Sequence, residues 1–342
     1  MENRREFLIK SALSAAALIT APSWVNAAPP LLKSYNKPDS MINGVQIGCI
    51  TYSFRSMDDQ SAEATLKYVT DAGISAIELM GGPAESFAGL PTNPVNMQEF
   101  YPLSSKQRKG EELTSDEQAK LKEMRDQMES YSKMATAWRI KTGMAPFEKL
   151  RKMYKDAGVT IYAYKPSAFG KEASDAEIAY GMNAAKALGA THVTLEHPSD
   201  DAHTLRLGKL GEKHRMSVGY HGHTQETFTF WDTAISQSPR NGMNLDSGHY
   251  IAAGKTDLMK LIAEKNKHIL SMHTKDRQTP ANGEGNLPWG EGDTPITEML
   301  KTMQRNKYKF PATIELEYAV PEGSDAVSEV QKCLEFCRKA LA

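Results

Sequence analysis

Residues 269–277, ILSMHTKDR, begin as an apolar run and end in His273, Lys275 and Asp276, three side chains that are costly to bury unpaired. A strand alternates its faces, so Leu270 and Met272 share one side while Ser271, His273 and Lys275 share the other. The same division recurs in four further runs. In GMNLDSGH (242–249), Asn244 and Asp246 oppose Met243 and Leu245; in ATIELEY (312–318), Thr313, Glu315 and Glu317 oppose Ile314, Leu316 and Tyr318. In THVTLEH (191–197), Thr194 and Glu196 oppose Val193 and Leu195. In MSVGYHGH (216–223), Gly219, His221 and His223 oppose Val218 and Tyr220. Each run therefore carries one apolar face and one face that ends in an acid or an imidazole.

If these polar faces point to one place, they deliver Glu196, His221, Asp246, His273 and Glu315 together. Mutual pairing does not neutralise such a set, because three members are carboxylates and Lys275 is the one obvious cation among them. A divalent ion would resolve the repulsion. The donors are oxygen-rich with imidazole and contain no thiolate, which favours a six-coordinate ion: Mn²⁺ first, with Mg²⁺, Co²⁺, Fe²⁺ and Zn²⁺ as alternatives. Four of the five ligands suffice, leaving positions for a substrate carbonyl and hydroxyl. A further inward acid, Glu78, is read as a structural ion pair with Lys165.

The elements that must position these residues form a rhythm. Strand candidates at 45–54, 74–80, 159–165, 191–197, 216–223, 242–249, 269–275 and 312–318 alternate with helical runs such as 61–72, 174–187, 202–214 and 325–341. Strand then helix, eight times over, predicts an α/β protein, a closed (β/α)8 TIM barrel whose chemistry sits at the carboxyl ends of the strands. One unit is oversized. Between strands two and three an extended insertion, about 82–145, holds a Gly/Pro-rich piece and the long charged helix TSDEQAKLKEMRDQMESYSKMATAWRI. The Gly-rich loop GEGNLPWGEG (283–292) reads either as a flexible connection or as a lid carrying Trp289 over a pocket. Trp138, Trp231 and Trp289 are candidates to stack on sugar faces.

Composition narrows the partners. The chain of 342 residues is 40% hydrophobic and 24% charged with a formal net charge of −1, which gives no electrostatic reason to expect nucleic acid. Neither a G-x-G-x-x-G after the first strand nor a G-x-x-x-x-G-K-[ST] is present, so the common nucleotide cradles are missing. A small molecule is the expected partner, and self-association stays open. Residues 1–27 read as a twin-arginine-type export signal: Arg4 and Arg5 precede Phe7-Leu8 and an apolar stretch, and Val25-Asn26-Ala27 offers a cleavage point. That apolar stretch is too short for a permanent membrane anchor. A linker (28–43) follows, then the barrel (44–342), in a protein expected in the periplasm or otherwise exported. Cys333 and Cys337, four apart on a helix, place their Cβ atoms about 5–6 Å apart, too far for a disulfide, and free thiols are expected throughout.

The motifs GYHGHT, NLDSGH, MHTKD, PWGEGDTPI and IELEY together resemble the xylose isomerase-like barrel superfamily of sugar isomerases, epimerases, inosose dehydratases and 3-keto-glycoside lyases, over roughly residues 44–342. The resemblance implies Asp246, His273 and Glu315 as metal ligands. Many epimerases of that family carry a Glu on strand five; here the position is His221, and the extra carboxylate is Glu196 on strand four. The chemistry implied is removal of a proton alpha to a carbonyl, by Glu196 or Glu315, with His221 or His223 as the assisting acid. His223, His249, Lys275 and Trp289 would bind the substrate, an unphosphorylated sugar, keto-sugar or 3-keto-glycoside. Two other readings are a non-catalytic exported sugar-binding barrel and an abasic-site endonuclease-like metalloenzyme. The second sits poorly with nine His and no basic excess.

Overall fold

A computed structural model describes residues 37–342. The expected export signal, 1–27, and the linker as far as Asn36 lie outside the described residues. Eight parallel strands close into a barrel: β1 (Val45–Ile50), β2 (Ala76–Met80), β3 (Thr160–Lys165), β4 (His192–Glu196), β5 (Ser217–His221), β6 (Asn241–Asp246), β7 (Ile269–Thr274) and β8 (Ala312–Ile314). Each pairs with its sequence neighbour, and β8 returns to β1. A two-residue strand, Met41–Ile42, pairs antiparallel with β1, so regular structure begins inside the stretch read as linker.

The strands form where β-branched and aromatic residues alternate with small or polar ones. Val193, Val218, Tyr220, Leu245 and Met272 are buried against the helix ring, while Thr194, Asn244, Ser271, His273 and Thr313 are buried inside the barrel. Tyr220 marks the outward direction: its hydroxyl donates to the Thr204 carbonyl of the helix Asp201–His214. Several strands end earlier than their hydrophobic pattern suggests. Ser247–Ala252 is helix, with Asp246 as its N-cap, and β8 stops at Ile314.

Between β2 and β3 lie four helices, Gly81–Phe87, Met97–Arg108, Ser115–Lys141 and Ala145–Asp156. The 27-residue helix Ser115–Lys141 opens on a capping box, in which Thr114 and Glu117 satisfy each other's backbone N–H. It buries only Leu121, Met124 and Ala135, so apolar packing alone fixes it poorly. Arg139 near its end grips buried Glu85 in a bidentate pair at 2.7 and 3.0 Å, which sets where the helix ends against the barrel. Cys49, Cys333 and Cys337 are buried free thiols, in keeping for the last two with their helical spacing. Among the described residues no helix is long and apolar enough to cross a membrane.

Candidate metal centre

The carboxyl ends of β4 to β8 lie side by side. Glu196 is level with His221, and Asp246 with His273. The second match depends on a bulge: the β6–β7 register slips between Met243 and Asn244, bringing Asn244 opposite Ser271 and Asp246 opposite His273. Glu315 lies just past β8, yet its N–H still donates to the Thr274 carbonyl at 3.1 Å and continues the parallel pattern. Four of the five expected ligands, His221, Asp246, His273 and Glu315, offer ligand atoms within 4.8 Å of one another, all from buried residues. Glu196 stands apart. Its side chain is 51% exposed and is engaged by Lys165 at 2.7 Å and, at 3.5 Å, by His223.

Each member of the four is held by a partner behind it. His273 Nε2 lies 2.9 Å from Glu78 Oε2, and Nδ1 faces Glu315 at 3.1 Å. Burial works against the charged imidazole, yet the carboxylates of Glu315 and Glu78 push His273 up to about 10. Burial likewise opposes the Glu78 carboxylate, but His273 holds it down at about 2. Glu78 is therefore not the partner of Lys165 that its position suggested. Lys165 bonds Glu196 instead, and Glu78 orients the imidazole of β7 with help from Thr194 at 2.5 Å. A carboxylate behind a histidine, opposite its ligating nitrogen, is the usual support of a metal ligand. Burial, followed by the charge of His273, lowers His221 to about 4, so its ring is neutral; His273, charged beside two carboxylates, would hold an ion only on giving up its Nδ1 proton.

The donor set fits a divalent ion on a further ground. Asp246 Oδ1 accepts the backbone N–H of His249 at 2.7 Å, but Oδ2 is buried with no hydrogen bond. Lys275 Nζ lies 3.0 Å away, close enough for ion pairing but out of line for a hydrogen bond. A buried carboxylate oxygen without a hydrogen bond is expensive, and this one lies 3.9 Å from His221 Nε2, another atom of the donor group.

The other expected site residues divide. Lys275 is 2% exposed, with Glu315 and Glu317 each 2.7 Å from its ammonium. It neutralises the acids from beneath. His223 and His249 lie at the mouth with ring centroids 4.5 Å apart, beside His221. Burial, then the nearby Lys275 charge, lowers His249 to about 2. The Trp289 ring stands edge-on to Phe336 of the last helix, Ala326–Leu341. Trp231 is fully buried, donating to the Tyr220 carbonyl, and Trp138 packs edge-on against Tyr180. A surface cavity of about 720 Å³ along Ser115–Lys141 shares no residue with the cluster.

Four residues next to the cluster were not read from the sequence as part of it: Glu78 in its actual role, Asn244, Arg277 and Glu226. Asn244 was accessible, being two residues before Asp246 on the same face. Glu226 is fully buried, Oε1 taking the Asp246 N–H at 3.4 Å and Oε2 without a partner. Burial and the adjacent Asp246 push its carboxyl well above the usual range. It lies in a loop with no periodicity, so no pattern announced it.

A family model for xylose isomerase-like TIM barrels matches residues 124–339. Among solved structures, the chain is similar to a 3-keto-D-glucoside 4-epimerase from E. coli, with 9% identity and TM-score 0.55 over 86% of this chain and 99% of that one. It is similar to a probable 3-DHS dehydratase from Bacillus anthracis, with 15% identity and TM-score 0.56 over 85% and 97%. It is also similar to a sugar phosphate isomerase/epimerase from Parabacteroides distasonis, with 15% identity and TM-score 0.52 over 86% and 93%. At such identities the likeness is one of fold. No curated protein matches the sequence.

Proposed function

The chain belongs to the xylose isomerase-like TIM-barrel family, and on that premise we propose that it is a divalent-metal-dependent carbohydrate enzyme that removes a proton alpha to a carbonyl. His221, Asp246, His273 and Glu315 would hold the ion, with Mn²⁺ the best match to two carboxylates, two imidazoles and open positions. When bound, the ion supplies Lewis acidity that polarises a carbonyl and acidifies the adjacent C–H. The observation that carries the reading is the buried, unbonded Asp246 Oδ2 within a four-donor cluster, with the Glu196 carboxylate ionised and accessible at its rim.

Glu196 is the base in this proposal. Burial opposes its charged form, but the charge and hydrogen bond of Lys165 keep it below the usual carboxylate range, so it is ionised at neutral pH and free to accept a proton. Glu315, enclosed by His273 and Lys275, is better suited to ligation than to proton removal. His223, 51% exposed and 3.5 Å from Glu196, is placed to move the proton onward or to assist a leaving group. Lys275 offsets the negative charge that develops on the substrate oxygens.

The substrate class is an unphosphorylated keto-sugar or 3-keto-glycoside. The guanidinium beside the cluster, Arg277, has its two terminal nitrogens engaged by His249 and by the Glu284 carbonyl, which argues against its serving as a phosphate clamp. Neighbours named for 3-keto-glucoside epimerisation and for dehydration suit this class. With Mn²⁺ added, a panel of such sugars incubated in D₂O is expected to yield one that takes up deuterium at the α-carbon or in product. Turnover without solvent deuterium would indicate a hydride shift and sink the mechanism.

The enzyme is further proposed to work outside the cytoplasm, on the strength of the Arg4-Arg5 signal. Replacing both arginines by lysine is expected to leave uncleaved precursor in the cytoplasm; an unchanged exported yield would reassign the route.

A further inference from the structure

The histidines at the barrel mouth fall into two overlapping groups, His221–Asp246–His273–Glu315 and His221–His223–His249, each with ligand atoms within 4.8 Å of one another. Both need a nitrogen of His221. Which group can hold an ion is decided by where the ring hydrogens lie, and the hydrogen-bond partners settle that.

The accounting starts at Glu78. A carboxylate only accepts, so Glu78 Oε2 takes a hydrogen from His273 Nε2 at 2.9 Å and from Asn244 Nδ2 at 3.3 Å. Asn244 Nδ2 also lies 2.9 Å from Ser271 Oγ. The amide is thereby oriented, with Oδ1 turned to His221 Nδ1 at 3.0 Å. An amide oxygen only accepts, so Nδ1 of His221 carries the hydrogen. Its Nε2 lone pair is left facing Asp246 Oδ2.

At His249 the partner has the opposite chemistry. A guanidinium only donates, and Arg277 Nη1 lies 2.6 Å from His249 Nδ1. That nitrogen must accept, so the hydrogen of the neutral ring sits on Nε2, the atom turned toward Glu317 at 4.0 Å. An Nε2 that carries hydrogen has no lone pair for a metal.

We propose that Asn244 and Arg277 are positioning residues that sort these histidines by tautomer. Asn244 makes His221 Nε2 a ligand atom, and Arg277 makes His249 an Nε2–H donor at the barrel mouth. The second group then binds no ion, and the mouth holds one metal beside one hydrogen-bond donor. The ligand half of this inference rests on the metal centre proposed above; the tautomers themselves do not.

The test uses the mature protein labelled with ¹⁵N-histidine, first stripped of metal and then given ¹¹³Cd²⁺. Long-range ¹H–¹⁵N spectra, assigned with His221→Gln and His249→Gln, are expected to show hydrogen on Nδ1 of His221 and on Nε2 of His249. With cadmium, one ion per chain is expected, with ¹¹³Cd–¹⁵N coupling to His221 Nε2 and none to His249. Arg277→Met should erode the Nε2–H preference of His249 and leave cadmium affinity within about threefold, while Asn244→Leu should weaken cadmium about 10- to 100-fold, the range for loss of a ligand's supporting partner. Hydrogen on His249 Nδ1 in the unaltered protein, or cadmium coupling to His249, would overturn the proposal. The expected tautomers without any cadmium binding would support the sorting and overturn the metal reading.

Discussion

Asp246→Asn and His273→Ala proteins are expected to purify with little of the divalent ion that the unaltered chain is expected to retain at about one per molecule. Asp246 contributes a buried oxygen that has an ion pair with Lys275 but no hydrogen bond, and His273 contributes a nitrogen already backed by Glu78. Removing a ligand should weaken binding by more than the roughly 10- to 100-fold that follows loss of a mere supporting partner. Proton exchange at the substrate should fall with it.

The two variants differ in a second measurement. Asp246→Asn keeps the shape of the side chain, and Lys275 keeps Glu315 and Glu317, so thermal stability should change little. His273→Ala leaves the carboxylate of Glu78, which is fully buried, without its cation, a defect of the kind that costs about 3–5 kcal/mol. It should therefore melt well below the parent. Metal analysis and melting curves on both proteins check this, and stoichiometric metal in both would remove the basis for the site.

Glu196→Gln separates the roles of the two glutamates. The amide is nearly isosteric and can still accept from Lys165, but it cannot take a proton. Because Glu196 lies outside the four-donor group, the variant should hold its metal while exchange of the α-proton with D₂O drops by about 10²- to 10⁴-fold, the usual contribution of a positioned base. Glu315→Gln, in contrast, should lose metal and exchange together, since Glu315 sits among the donors beside His273. Metal loss in Glu196→Gln would make Glu196 a ligand, and undiminished exchange would move the base elsewhere.

The residues that face the barrel interior were legible because strand periodicity is local. A side chain's face depends on its own position in a run, so Asp246, His273 and Glu315 could be placed inward without knowledge of any neighbour. The eight-unit rhythm and the long charged helix Ser115–Lys141 were legible for the same reason: both are written in residues close to one another in the chain.

Partner choice inside the barrel was decided only by the tertiary structure. Glu78 and His273 are 195 residues apart, and their pairing follows from closure of the barrel, which no local pattern encodes. Glu196 and Lys165 meet because the two long side chains reach across the rim, which took Glu196 out of the donor group and Lys165 away from Glu78. The bulge at Met243/Asn244 aligns Asp246 with His273, and the register between two strands is not written in the alternation of either one. Trp289 settled on Phe336 because a Gly-rich loop carries no periodicity, so its aromatic goes wherever the finished surface offers apolar contact. Which side chains point inward is local information; which of them touch is a property of the closed barrel.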